Sequence, residues 1–153
     1  MSSGDSTNKI LIFYYSRTGN TEKMAKAIAE GISSTGKAEV EMKYFVDAED
    51  LEGYKIILVG APTFNKDMPI DTKRLLEQAI AKGISLKDRL GGAFGSYGWS
   101  GEAPKLVLDI MKDKLGMLTI EPPLLSKLTP DAAMLDKCRE FGKRASETLI
   151  PKP

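Results

Sequence analysis

Short apolar runs without polar alternation, separated by stretches of helical periodicity, narrow the fold of this chain more than any other feature. Ile10, Leu11, Ile12, Phe13, Tyr14 and Tyr15 form the first run. A strand with one wet face alternates apolar and polar residues. A strand without alternation is buried on both faces, as in a parallel sheet covered by helices. Further runs lie at residues 40–45, 56–59 and 92–94, with a weaker one at 118–120 ahead of Pro122 and Pro123. Between them fall helical stripes. Met24, Ile28 and Ile32 sit four apart, with Ala25 and Ala29 beside them. Leu75, Leu76, Ala79 and Ile80 make a second stripe, and Leu106, Val107, Ile110, Met111 and Leu115 a third. Leu135, Cys138, Gly142, Ala145 and Leu149 make a fourth, opened by Thr129-Pro130-Asp131, a helix start signal. The order is β-α-β-β-α-β-α-β-α. Alternation breaks only at residues 47–52, which leave room for a short helix or turn. This pattern predicts an α/β domain with helices on both faces of a five-stranded parallel sheet, for which 2-1-3-4-5 is a common strand order. Residues 1–8 read as a flexible N-terminal tail and 9–150 as the single domain.

Composition removes many chemistries. The chain has 22 basic and 21 acidic residues, a formal charge of +1, so it lacks the basic excess of a nucleic-acid binder. No apolar stretch approaches the roughly 20 residues of a membrane span. There is no histidine and one cysteine. Ser–His–Asp and Cys–His catalysis, dithiol chemistry, and histidine- or cysteine-rich metal sites are therefore excluded. Cys138, on a helical stripe, reads as a small core residue rather than a reactive thiol. Redox or transfer chemistry here has to borrow its reactive group from an organic cofactor. The polar opening sequence lacks the apolar core of a secretory signal, which points to a cytoplasmic protein.

In a doubly wound sheet, ligands bind beyond the carboxyl ends of the strands, so the loops after the strands carry the functional reading. After the first strand comes Ser16-Arg17-Thr18-Gly19-Asn20-Thr21. Three hydroxyls, an amide and a glycine surround a helix start, whose unpaired N–H groups and partial positive charge suit a phosphate. An elaborate N-cap is the plainer alternative, although one hydroxyl would suffice for it. The loop is neither a Walker loop nor a GxGxxG turn. After the third strand, Gly60-Ala61-Pro62-Thr63-Phe64-Asn65-Lys66-Asp67 puts a large ring on a turn. That ring serves as a partner contact, a staple onto the next helix, or a cover for a flat aromatic ligand. After the fourth, Gly95-Ser96-Tyr97-Gly98-Trp99-Ser100-Gly101-Glu102 holds the only tryptophan and a tyrosine among three glycines. Glycines admit close backbone approach and the aromatics can stack. A phosphate loop and two aromatic loops at one sheet edge describe a site for FMN.

The first loop resembles the flavodoxin phosphate loop, [TS]-x-T-G-x-T, and residues 60–63 resemble the second flavin loop of that family. Residues 95–102 are most similar to the third loop in the flavodoxin domain of flavodiiron (A-type) flavoproteins. The resemblance spans residues 9–149. It implies a flavodoxin-like three-layer sandwich with strand order 2-1-3-4-5, noncovalent FMN, and single-electron exchange with redox proteins, namely ferredoxin or flavodoxin reductases and acceptor oxidoreductases. Such a protein is a monomeric electron carrier rather than an enzyme, with no catalytic side chain, metal, nucleic acid or membrane involved. The implied phosphate ligands are Ser16, Thr18, Asn20 and Thr21 with the N–H groups of Arg17 to Thr21, including Gly19. Pro62, Thr63, Phe64, Asn65 and Lys66 would border the ring, with a backbone group of 64–66 at flavin N5. Ser96, Tyr97, Gly98, Trp99 and Gly101 would hold the pyrimidine end, with Trp99 packed on the ring. Many flavodoxins are strongly acidic and this chain is neutral. An FMN-dependent NAD(P)H:quinone or iron reductase is the alternative. A receiver-like signalling domain would need acidic residues where this chain has Ser16-Arg17-Thr18 and Ala61-Pro62-Thr63.

Overall fold

A computed structural model describes residues 8–148. β1 (Lys9–Tyr14) and β3 (Ile56–Gly60) form the centre of the sheet, and every residue of β3 is buried. The period of two along these strands divides the core. Ile10, Ile12, Ile56 and Leu58 face one apolar cluster, while Leu11, Phe13, Ile57 and Val59 face the other. The first cluster is completed by Met24, Ile28 and Ile32 of α1 (Asn20–Thr35) and Cys138, Phe141 and Ala145 of α4 (Ala132–Glu147). The second is completed by α2 (Ile70–Ala81) and α3 (Glu102–Asp113), through Leu75, Leu76, Val107, Leu108 and Met111. Helices thus cover both faces, as the unbroken apolar runs require.

All the strand pairings are parallel, in the order β2-β1-β3-β4-β5, with β2 at Glu39–Lys43 and β4 at Leu90–Tyr97. The fifth position is filled in two pieces. β5 (Leu118–Thr119) pairs with Leu90 and Gly91, and β6 (Leu124–Lys127) pairs with residues 94–97 of β4. Pro122 and Pro123 lie between them; proline has no N–H for the ladder, so the strand breaks there. Only the first piece is legible as a strand in the sequence. The gap between β2 and β3 holds a short 3-10 helix, Ala48–Gly53, where the Asp50 carboxylate accepts the Asp47 N–H at 3.0 Å.

Local signals act as expected at several ends. Asp131 caps α4, its carboxylate accepting the Met134 N–H at 2.8 Å. α1 stops at Gly36, which takes the left-handed conformation at φ 66°. Other boundaries differ. β2 ends at Lys43, so Tyr44 and Phe45 stand exposed beyond it. β4 runs on to Tyr97, which places Gly95, Ser96 and Tyr97 in the strand and shortens the loop to residues 98–101. Ile80 and Leu106 lie at the exposed margin of their helices. Leu149 and residues 1–7 of the expected tail at 1–8 fall outside the described residues.

Candidate functional site

The carboxyl ends of β1, β3, β4 and β6 meet at one edge, and a cavity of about 220 Å³ opens there. Ser16, Arg17, Thr18, Asn20 and Thr21 line it from the turn after β1, and Pro62, Thr63 and Phe64 from the loop after β3. Ser96, Tyr97 and Gly98 come from the end of β4, and Leu128 from the end of β6.

The turn after β1 is built to leave donors free. Gly19 precedes α1 at φ 92°, a left-handed conformation natural to glycine, and has no side chain of its own to cap the helix. Ser16 Oγ accepts only the Glu22 N–H, at 3.1 Å, two residues into the helix. The first turn of α1 thus keeps its partial positive charge beside the hydroxyls of Ser16 and Thr18 and the Asn20 amide. Thr21 behaves differently from its neighbours. Its side chain is buried, and its Oγ1 accepts the Ser96 N–H at 3.2 Å and lies 3.1 Å from Ser96 Oγ. The pair ties the start of α1 to β4 and sets Ser96 beside the phosphate-type turn.

The loop after β3 folds into a two-residue hairpin. Phe64 and Asp67 exchange backbone hydrogen bonds of 2.8 and 2.9 Å, and Asn65 and Lys66 between them have φ 51° and 64°. Two left-handed residues in succession define a type I′ turn, costly for lysine and tolerable for asparagine. Asp67 steadies the turn. Its carboxyl lies below the usual range because the Lys73 ammonium donates to it and, second, because the Met68 N–H does. Phe64 meets Tyr15 edge to face at 6.1 Å, and the Arg17 guanidinium sits 5.2 Å from its ring centre. Arg17 and Phe64 also line a second cavity of about 440 Å³ with Tyr15, Asn65, Asp67, Met68 and Pro69, against the start of α2.

Thr63 links the second and third loops. Its Oγ1 accepts the Ala103 N–H at 2.9 Å, capping α3 from across the cleft where Gly101 has no side chain to do so. Glu102 opens that helix, and its carboxyl lies below the usual range through hydrogen bonding to Ser100, then its own backbone, then the Lys66 charge.

Of the residues singled out in sequence, Ser16, Arg17, Thr18, Asn20, Thr21, Pro62, Thr63, Phe64, Ser96, Tyr97 and Gly98 come together around the first cavity. Gly19 and Gly101 shape the helix starts, Asn65 lines the second cavity, and Lys66 is at the exposed hairpin tip. Trp99 is 92% exposed and is not among the residues that line the first cavity. The aromatics at the cavity are Phe64 and Tyr97. Leu128 was missed, since β6 itself carries no strand signal strong enough to place its end.

A helix start ringed by hydroxyls, beside two aromatic rings at the switch edge of a doubly wound sheet, defines a protein that holds a phosphorylated planar cofactor. The family model for flavodoxin matches residues 12–142, and the chain belongs to the flavodoxin family. Its cofactor is FMN, and the donor set around the cavity fits that molecule's phosphate and ring. The chain is similar to the type A flavoprotein fprA of Rhodobacter capsulatus, 37% identical over 94% of this chain and 34% of that protein. It thus spans about a third of the curated relatives it matches. Among solved structures it resembles a flavodoxin from the domain Archaea, with a TM-score of 0.83 and 33% identity over 92% of this chain and 98% of the other. Flavodoxin 1 from Bacillus cereus gives a TM-score of 0.82 and 28% identity over 94% and 99%.

Proposed function

We propose that this chain carries electrons one at a time between redox proteins, with FMN held in the cavity at the sheet edge. The observation that carries the reading is the convergence of the hydroxyl-rich α1 turn and the Phe64 and Tyr97 rings on one cavity. Bound FMN supplies reversible one- and two-electron redox chemistry. The chain's own residues bind and position it. The N–H groups of Arg17 to Thr21 and the side chains of Ser16, Thr18 and Asn20 hold the phosphate. Thr21 acts mainly through Ser96, which it orients. Pro62, Thr63, Phe64, Asn65 and Lys66 border the ring on one side, with the hairpin presenting backbone groups. Tyr97, Gly98 and Gly101 border it on the other, and Trp99 stands at the rim. Among the described residues no helix is long and apolar enough to cross a membrane. Reductases and acceptor oxidoreductases of the ferredoxin and flavodoxin type are the proposed partners.

The second cavity gives one support to a direct NAD(P)H reductase, because it offers space beside Phe64 for a nicotinamide. Stopped-flow mixing with NAD(P)H separates the two readings. A carrier stays oxidised until a reductase is added, and then takes up electrons in two resolved one-electron steps.

Calorimetry tests the site itself. FMN should bind far more tightly than riboflavin, and Thr18→Ala should weaken FMN by about 10- to 100-fold, the worth of one hydrogen bond to a charged oxygen, roughly 1.5–3 kcal/mol. Riboflavin affinity should barely change. Equal affinity for the two ligands rejects the phosphate assignment.

A further inference from the structure

Leu128 follows β6 with φ 59°, in the left-handed region where a branched side chain crowds its own backbone. The position is well determined. The ladder pairs Lys127 with Tyr97, and the Leu128 N–H donates to the Tyr97 carbonyl at 2.7 Å. Glycine or asparagine would make the same backbone bond with less strain. The side chain gains nothing from the core in return: it is 57% exposed and belongs to neither apolar cluster. It does line the first cavity. Its Cδ2 lies 3.8 Å from where a Cβ on Gly98 would sit, so it reaches over the glycine that follows β4. Strain and exposure at a leucine, neither offset by packing, mark a side chain held for the cavity.

We propose that Leu128 is a cofactor-binding residue, forming with Gly98 and Tyr97 an apolar wall against which bound FMN rests. The inference builds on the FMN reading above and adds β6 as a fourth contributor to the site. The wall also keeps water from the hydrogen bonds made at the α1 turn, which strengthens them. Thr18, Asn20 and Ser96 thus supply the polar side of the cavity, and Leu128 supplies part of its dry side.

The test uses wild-type protein, Leu128→Gly and Leu128→Ala, each stripped of flavin and titrated with FMN by fluorescence. The thermal midpoint of each apoprotein is measured in parallel. Both variants should bind FMN roughly fivefold to tenfold more weakly, from lost apolar contact. The Leu128→Gly apoprotein should melt at or above the wild-type midpoint, because the strain is relieved. FMN affinities within twofold of a wild type that does bind FMN overturn the wall and leave the FMN reading standing. Apoprotein midpoints that drop in both variants also overturn it, by making Leu128 a packing residue. A wild type that binds no FMN overturns the FMN reading and the wall together.

Discussion

At the scale of single residues, chemical type was legible but direction was not. Ser16, Thr18 and Asn20 line one cavity together, because their placement depends only on a local strand–turn–helix. Tyr97 and Trp99 show the limit. Two residues apart, they end in opposite environments, Tyr97 at the cavity and Trp99 92% exposed. Which ring lines the site depends on where β4 stops, and that is set by pairing with β6. Tyr97→Ala should therefore weaken FMN binding by about tenfold, while Trp99→Ala should change it by less than about twofold, both read by flavin titration. Cys138 was correctly legible as a core residue. Burial pushes its thiol from an ordinary value of 9.0 up to about 11, against a smaller opposing effect of the Arg139 charge. The fold holds the neutral thiol, so this contribution is complete below about pH 9 and is lost as pH rises through about 11. By linkage it amounts to about 2–3 kcal/mol. Denaturation of wild type and Cys138→Ala from pH 8 to 11 should show the steeper alkaline loss in wild type only. Native protein should also resist alkylation by iodoacetamide at neutral pH.

At the scale of elements, helices were easier to place than the spaces between them. The stripes on α1 and α4 identify their buried faces, but not that the two helices touch. They do so through glycines. A Cβ on Gly31 would lie 2.0 Å from the Arg139 carbonyl oxygen, and one on Gly142 would lie 2.2 Å from that of Ile28. These are backbone atoms that cannot swing aside, so α1 would have to move. Gly31→Ala or Gly142→Ala should cost about 1–3 kcal/mol and lower the melting temperature by several degrees, measured by circular dichroism. FMN affinity should also fall, because α1 carries the phosphate turn at its start. The ion pair of Arg139 with Glu30, at 3.0 Å, crosses the same contact but is solvent-exposed and contributes at most about 1 kcal/mol. The fifth strand was half legible. Pro122 and Pro123 interrupt its pattern, and only pairing of both pieces to β4 makes it one position in the sheet.

At the scale of the molecule, the cleft edge carries charges that are largely matched. Lys73 pairs with Asp67, Arg74 lies 3.8 Å from Asp71, and Arg17 stacks on Phe64. With a net charge of +1, the chain presents little long-range field to steer a partner. Electron transfer to a partner protein should then change by less than about threefold between roughly 50 and 500 mM salt, followed by stopped-flow absorbance. A steep decline with salt would reveal a charged docking face instead. Tyr44, Phe45, Ile70 and Trp99 are exposed, the first two just beyond β2, Ile70 at the start of α2 and Trp99 beyond β4. Unbroken apolar runs alternating with helical stripes were enough, by themselves, to establish a doubly wound parallel sheet and the edge where a ligand binds. Burial on both faces leaves few other ways to hide such strands. The hydroxyl-rich turn at residues 16–21 was equally accessible, being a contiguous motif of six residues. The Thr21–Ser96 tie, the Thr63 cap on α3 and the Leu128 wall were decided only by tertiary structure. Each joins residues 30 to 75 positions apart, and their meeting depends on strand register, which no single segment encodes.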